Sequence, residues 1–301
     1  LPTRPGCAAL SNTSLYVIAV LIWGSTWLAI EFQLGVVEPE VSIVYRYLAA
    51  SFILFLWSKF KGLNITFNLK HHKWFALMGL LMFCLNYILA YRAQIYITSA
   101  LSAIAFSAML WMNIINARLF FGIRVGGRIY LGALLGIVGI VVLFGPQVSE
   151  VSLTDGVLFG SLLAVVGALM ASFGNMASQA AQNAKLPVIQ SNAWSMLYGG
   201  LLTAIVVLIR GSEFTFDPSP GYVISLVYLT VFGSVVAFGA YLTLLGRIGA
   251  HRAGYATVMF PVVALLLSIL FEGLALDWSL IVGFALVLAG NLLVLMHKRP
   301  N

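Results

Sequence analysis

The side chains able to do chemistry in this 301-residue chain are few, and they fall in stripes. Ser161, Ala164, Ala168, Ser172, Asn175 and Gln179 recur at helical spacing and would share one face of a helix. Ser102, Phe106, Met109, Asn113 and Asn116 make a second stripe, and Phe83, Tyr87, Ala90, Tyr91 and Gln94 a third. Shorter sets are Trp23, Trp27 and Glu31, then Ser234, Phe238 and Tyr241, then Tyr255 and Met259. Amides, hydroxyls and rings of this kind bind rather than catalyse. They offer hydrogen bonds and apolar faces to an amphiphilic solute. The candidate binding residues are Trp23, Trp27, Phe83, Tyr87, Tyr91, Met109, Trp111, Asn113, Ser172, Asn175, Phe238, Tyr241 and Tyr255. Trp111 lies off the Asn113 face and could equally meet another helix or lipid. Ser and Asn also serve as glue between helices, a role open to about half of these polar groups.

Catalytic machinery is missing from the sequence. There is no HExxH, GxGD, GxSxG or GxxxxGK[ST] pattern, and His71, His72, His251 and His297 all lie outside or at the ends of the apolar runs. Cys7 and Cys84 are placed too differently to suggest a disulfide. Neither an enzyme, a metal site nor a cofactor is expected. Three further residues read as gating or structural. Arg46 lies one turn inside an apolar run, where a charge should snorkel or pair, with Glu31, Glu38 or Glu40 as partner. Pro261 would kink the middle of a run, and Glu272 would end one.

The elements that must hold these stripes follow from composition. Charged residues make up 8% of the chain and apolar ones 61%, with a mean hydropathy of +1.02. Such a chain cannot coat a water-facing surface, and it is too apolar for disorder. It reads as an all-α polytopic membrane protein. Ten apolar runs lie at about 15–34, 41–58, 74–93, 97–120, 129–146, 156–180, 188–209, 221–245, 252–271 and 278–296, each near the ~20 residues that span a bilayer. They are continuous rather than alternating, which excludes a β-barrel. The first run is too long for a signal-peptide core, and the start at Leu1 reads as a trimmed or processed chain.

With both termini in the cytoplasm, 13 of the 16 Lys and Arg residues fall on that side and every carboxylate on the other, a strong orientation signal. The net charge of +7 then answers to the membrane, and no nucleic-acid partner is expected. The expected partners are the lipid bilayer and a small-molecule substrate, with the chain a monomer or a homodimer.

The chain also repeats. A shift of 151 superimposes Leu119-Phe120-x-Gly122 on Leu270-Phe271-x-Gly273, and Gly132, Leu135 and Gly139 on Gly283, Leu286 and Gly290. A shift of 150 superimposes Ala90-Tyr91 on Ala240-Tyr241 and Gly24 on Gly174. The division is a tail 1–14, a five-helix repeat 15–146, a linker 147–155, a second repeat 156–296 and a tail 297–301. Five spans is an odd number, so the second repeat is inverted, and a site at the repeat interface is expected. The stripes would build an inner ring from runs 1, 3, 4, 6, 8 and 9.

Trp23-Gly24-Ser25-Thr26-Trp27, Tyr45-Arg46-Tyr47-Leu48, Ser99-Ala100-Leu101-Ser102-Ala103, Pro261 and Phe271-Glu272-Gly273 stand in an order that resembles the drug/metabolite transporter superfamily. The resemblance is to its ten-helix exporters with two EamA-type repeats, closest to the aromatic amino-acid exporter branch. It covers residues 15 to 296. The first repeat departs in having Leu110 where the second has Pro261, and in lacking an acid after Phe120-Phe121. The resemblance implies alternating-access export in a bacterial inner membrane.

The chain has no carboxylate at mid-depth in any run, which disfavours proton-coupled export of organic cations. The expectation is a carrier for neutral or zwitterionic amphiphiles, with aromatic or large apolar amino acids the best fit. A multidrug or nucleotide-sugar-like carrier and a facilitative pore stand as alternatives.

Overall fold

The computed structural model describes residues 10–149, 155–272 and 278–295. The expected tails 1–14 and 297–301 and the linker 147–155 lie wholly or partly outside those residues, as does the Glu272 side chain. Among the described residues there is no strand, and ten helical rods follow one another. They are α1 (Asn12–Glu31), α2 (Pro39–Phe60), α3 (Leu69–Ala93), α4 (Ser99–Ser107 and Met109–Phe121), α5 (Gly127–Ser149) and α6 (Asp155–Asn183). Then come α7 (Val188–Ile209), α8 (Pro220–Ile248), α9 (Tyr255–Glu272, after a single turn Ala250–Ala253) and α10 (Trp278–Leu295).

Local chemistry sets the ends. The side chains of Ser11, Asn68, Thr98 and Ser219 accept hydrogen bonds from the exposed N–H groups of α1, α3, α4 and α8. Pro39 and Pro220 occupy first turns, where no N–H is needed. Gly122, at φ +65°, closes α4 in the left-handed conformation that a side chain would strain. Seven rods are long and apolar enough to cross a membrane by themselves, and α5 and α10 have shorter apolar stretches, Gly127–Val142 and Ile281–Val294. Large apolar side chains such as Phe52, Leu56, Leu134, Val141, Leu201 and Ile205 point outward, as lipid contact requires.

The rods alternate in direction. Arg247 at the end of α8 donates to the Leu10 carbonyl (2.7 Å), and Tyr16 in α1 bonds to Asn291 in α10. These contacts mark one face, here the near face, which carries the α1 start and the α10 end. The opposite, far face carries the α2 start and the α3 and α7 ends, where Arg92 meets Glu38 and Glu40 and Arg210 meets Glu40.

Packing displays the inverted repeat directly. The equivalent helices α5 and α10 pack on each other, and so do α2 and α7. α1 packs against α8 and α9, while its counterpart α6 packs against their counterparts α3 and α4. Membrane helices gain little from apolar burial against one another, so close approach of backbones must supply the attraction. At the α5–α10 seam a Cβ on Gly290 would lie 2.6 Å from the Gly132 carbonyl oxygen, and one on Gly139 would lie 2.8 Å from that of Gly283. The 151-residue shift exchanges these two contacts, a two-fold relation written in backbone atoms.

The repeats share an irregularity as well. α3 is π-helical over Gly79–Leu85 and α8 over Leu229–Val236. Asn86 N–H donates to Leu81 O and Ala237 N–H to Phe232 O, each five residues back. π-turns of this kind are rare and recur at functional sites.

Candidate functional site

The two π-turns flank a central cavity with about 600 Å³ of empty space, counted out to its mouth. Its walls come from α1, α3, α4, α6, α8 and α9, the six rods that carry the stripes, and α2, α5, α7 and α10 line none of it. α1 contributes Trp23, Thr26, Trp27 and Ile30, and α3 contributes Met82, Asn86, Tyr87 and Ala90. α4 and α6 add Phe106, Met109, Ala171 and Asn175, and α8 and α9 add Phe238, Tyr241 and Phe260.

The aromatic wall is held rigidly. The Trp23 indole N–H donates to Gly233 O (3.0 Å), a carbonyl in the α8 π-turn, and its ring meets Phe238, Tyr241 and Phe260 at 4.7, 4.9 and 5.6 Å. Trp27 meets Phe106 edge-on at 4.9 Å. Such pairs fix ring orientation and contribute about 0.5–1.5 kcal/mol each beyond area burial.

Hydrogen bonds between rods close the near-face side. Asn175 in α6 donates to Tyr241 Oη (3.1 Å) and to Asn113 Oδ1 (3.3 Å) in α4. Asn116 donates to Ser172 (2.9 Å) in the same seam, and nearer that face Gln179 accepts from the Ala250 N–H (2.8 Å) and Gln182 donates to Leu242 O (2.9 Å).

Arg46 lies behind the wall. It is 1% exposed, and its Nε donates to Ser234 Oγ (2.8 Å) in the α8 π-turn. Nη1 reaches Tyr91 Oη at 3.3 Å and Nη2 reaches Tyr87 Oη at 3.5 Å, with the Tyr87 ring centroid 4.7 Å from the guanidinium carbon. The expected ion pair is not formed: among the described residues no carboxylate reaches Arg46. Glu38 and Glu40 turn instead to Arg92 and Arg210, because α2 places them at the far face, about 9 Å or more along the axis from Arg46.

Of the residues taken from the sequence as binding candidates, the structure puts Trp23, Trp27, Tyr87, Met109, Asn175, Phe238 and Tyr241 on the cavity surface. Phe83, Tyr91, Asn113 and Ser172 lie one layer behind it, against Tyr47 and Phe238, Arg46, Asn175 and Asn116 respectively. Trp111 and Tyr255 sit elsewhere. Trp111 packs near Tyr130 of α5, and Tyr255 donates to the Ile129 carbonyl. Pro261 is buried within α9. The candidate list lacked Thr26, Ile30, Met82, Asn86, Ala90, Phe106, Ala171 and Phe260. Thr26, Ala90 and Phe106 did belong to quoted motifs or stripes. Asn86 stands four residues before Ala90 and beside Tyr87, both in the third stripe, so the same helical spacing drawn slightly wider contains it.

The fold, the inverted packing and the central cavity can now be set beside known proteins. The profile of the EamA-like transporter family matches residues 12–145 and 158–296, one match per repeat. The chain belongs to the EamA-like transporter family. It is therefore a drug/metabolite-type membrane transporter and not an enzyme. It is 28% identical over 251 residues, 82% of this chain and 78% of the other, to the uncharacterized inner membrane transporter YedA of Escherichia coli K12. It is 26% identical to the uncharacterized transporter YoaV of Bacillus subtilis, over 92% and 94% of the two chains. It is 23% identical, over 92% of each chain, to an E. coli K12 protein named "Probable amino-acid metabolite efflux pump". A solved crystal structure superimposes with a TM-score of 0.78 over 95% and 96% of the two chains at 19% identity, a likeness of fold. The EamA-like repeats thus coincide with the two halves that the packing relates.

Proposed function

We propose that this chain exports small amphiphilic metabolites, first among them amino acids with aromatic or large apolar side chains, by alternating access around the central cavity. The observation that carries the reading is the wall itself. Trp27, Phe106, Met109 and Phe260 offer an apolar bed, while Asn86, Asn175 and Tyr241 offer a few fixed polar atoms. A wall of this mixture suits a solute with one apolar and one polar end. Among the described residues no carboxylate lines it, which speaks against an organic-cation and proton exchanger. The named function of the E. coli efflux pump points the same way.

The near face is assigned to the cytoplasm on the positive-inside rule, with Lys59, Lys61, Lys70, Lys73, Arg118, Arg124 and Arg128 on that side. The inner membrane is the expected location, from the printed name of YedA. In this conformation the Asn175, Asn116 and Gln179 bonds shut the cytoplasmic side, and rocking of the repeats would break them.

Uptake of labelled Phe, Trp, Leu, Lys and Glu into proteoliposomes, with and without a pH gradient, tests the proposal. Saturable flux of Phe or Trp that shows counterflow supports it. Flux that does not saturate would favour a pore, and no amino-acid flux would move the search to drugs or nucleotide-sugar-like solutes.

A further inference from the structure

Arg46 is a full positive charge enclosed in the membrane-spanning part of the protein, and three neutral hydroxyls are its hydrogen-bond partners among the described residues. A guanidinium has five N–H donors and suits a planar oxyanion best. Two of the three bonds here are long, at 3.3 and 3.5 Å. The repeat does not call for the charge. The corresponding turn of α7 in the second repeat carries Ser195 and Met196, both buried and both neutral. The backbone of α8 comes close to the guanidinium as well, since a Cβ on Gly233 would stand 3.1 Å from Nη2.

What separates the guanidinium from the cavity is the Tyr87 ring, which lines the cavity on its other side and is only half-buried. Its hydroxyl holds Arg46 by the weakest of the three bonds. On the adjacent residue, Asn86 Nδ2 donates to the Met82 carbonyl (3.2 Å), which fixes the orientation of that amide. Asn86 Oδ1 is then a buried acceptor with no partner among the described residues, on a residue that lines the same cavity. Buried polar atoms are normally satisfied, so an orphan acceptor beside a site marks a place for a donor.

We propose that Arg46 is the anion-recognition point of the cavity: the substrate carries a carboxylate, which reaches the guanidinium when the Tyr87 ring turns aside. Asn86 Oδ1 then takes an N–H donor of the same head group, such as an α-ammonium. This rests on reading the central cavity as the substrate site and narrows its ligands to organic carboxylates, amino acids being those that use both points. Amines and alcohols with the same apolar body are excluded, because they leave the buried charge unneutralised.

The test uses four probes of matched size on the purified protein in nanodiscs: L-phenylalanine, 3-phenylpropionate, phenethylamine and 3-phenylpropanol. Binding is read by Trp fluorescence and by thermal shift. We expect both carboxylates to bind at least tenfold tighter than the alcohol, and phenylalanine tighter than phenylpropionate. Arg46→Gln should abolish the preference for carboxylate over alcohol, a change of selectivity that a purely structural arginine would not produce. Asn86→Leu should abolish only the preference for phenylalanine over phenylpropionate. If Arg46→Gln does not fold, Arg46→Lys and Ser234→Ala must each lower the carboxylate preference.

Equal binding of carboxylate and alcohol by the wild type, an unchanged preference in the Arg46 or Ser234 variants, or no binding of either carboxylate overturns the proposal. Flux measurements separate it from the transport reading. Arg46-dependent binding without flux sinks transport and leaves the anion site. Equal flux of phenylalanine and phenethylamine sinks the anion site and leaves transport.

Discussion

Arg92 grips Glu40 at two points, Nε to Oε1 at 2.8 Å and Nη2 to Oε2 at 2.7 Å, on a carboxylate whose side chain is 3% exposed. Arg210 adds a longer contact at 3.3 Å. The cluster joins the α2 start to the ends of α3 and α7. Removing Arg92 leaves a nearly buried carboxylate short of its main partner. A broken buried pair costs about 3–5 kcal/mol, and the partial exposure of Arg92 places Arg92→Ala at the low end. Arg210→Ala, at a half-exposed cation, should cost about 0–1 kcal/mol. Thermal unfolding in detergent would rank them, and equal losses would contradict this order.

The bed of rings predicts a split between two tryptophans. Trp27→Ala removes part of the cavity wall and the edge-on contact with Phe106. Transport of an aromatic solute should show KM raised roughly tenfold, which corresponds to about 1.4 kcal/mol. Trp111→Ala, made in the packing against α5, should leave KM within about twofold while lowering thermal stability. The reverse pattern in proteoliposome kinetics would move the site to the α4–α5 side.

Asn175 is the hub of the near-face closure. Asn175→Ala frees Tyr241 Oη and Asn113 Oδ1 together, each lost bond contributing about 0.5–1.5 kcal/mol. The expected result is a shift of population toward the conformation open to the near face. A cysteine placed at Ser178 should then react with a membrane-impermeant maleimide from that face several-fold faster than in the otherwise unchanged protein. An unchanged rate would show that these bonds do not hold the closure.

At the α5–α10 seam, Gly290→Val has no room, because even its Cβ would stand 2.6 Å from the Gly132 carbonyl. Overpacking of this kind costs about 1–3 kcal/mol or more. Gly290→Ala should lose less than Gly290→Val in yield and melting temperature, and no loss in either would mean that the helices can separate freely.

The spans were legible in the sequence because about 20 apolar residues are what the bilayer demands of any helix. The inner ring of rods was legible because polar atoms on a span must face protein, which marks Asn175, Asn113 and Tyr87. Ile30, Ala171 and Phe260 carried no such mark: an apolar residue facing a cavity reads the same as one facing lipid. Asn86 lies at the edge of the third stripe, four residues before Ala90, where spacing alone does not separate a cavity side chain from one that packs on a neighbouring rod. The partners of Arg46 could not be read either, since Glu38 and Glu40 are near it in sequence but one to two turns away along α2.

The pseudo-two-fold relation bears on the balance between the two ends of the cycle. A shift of 150 carries Asn175 and Asn113, which join α6 to α4 by a hydrogen bond, onto Ser25 and Val263 of α1 and α9. Those two helices meet instead where a Cβ on Gly24, beside Ser25, would lie 2.5 Å from Val263 Cβ. One seam is thus stitched by amides that water must replace when it parts, and the other is a tight van der Waals fit. The protein is a seesaw with unlike ends, so its two orientations differ in enthalpy and hydration. Cooling and dehydrating solutes should tilt it toward the stitched end, making the resting pose a matter of chemistry rather than of symmetry.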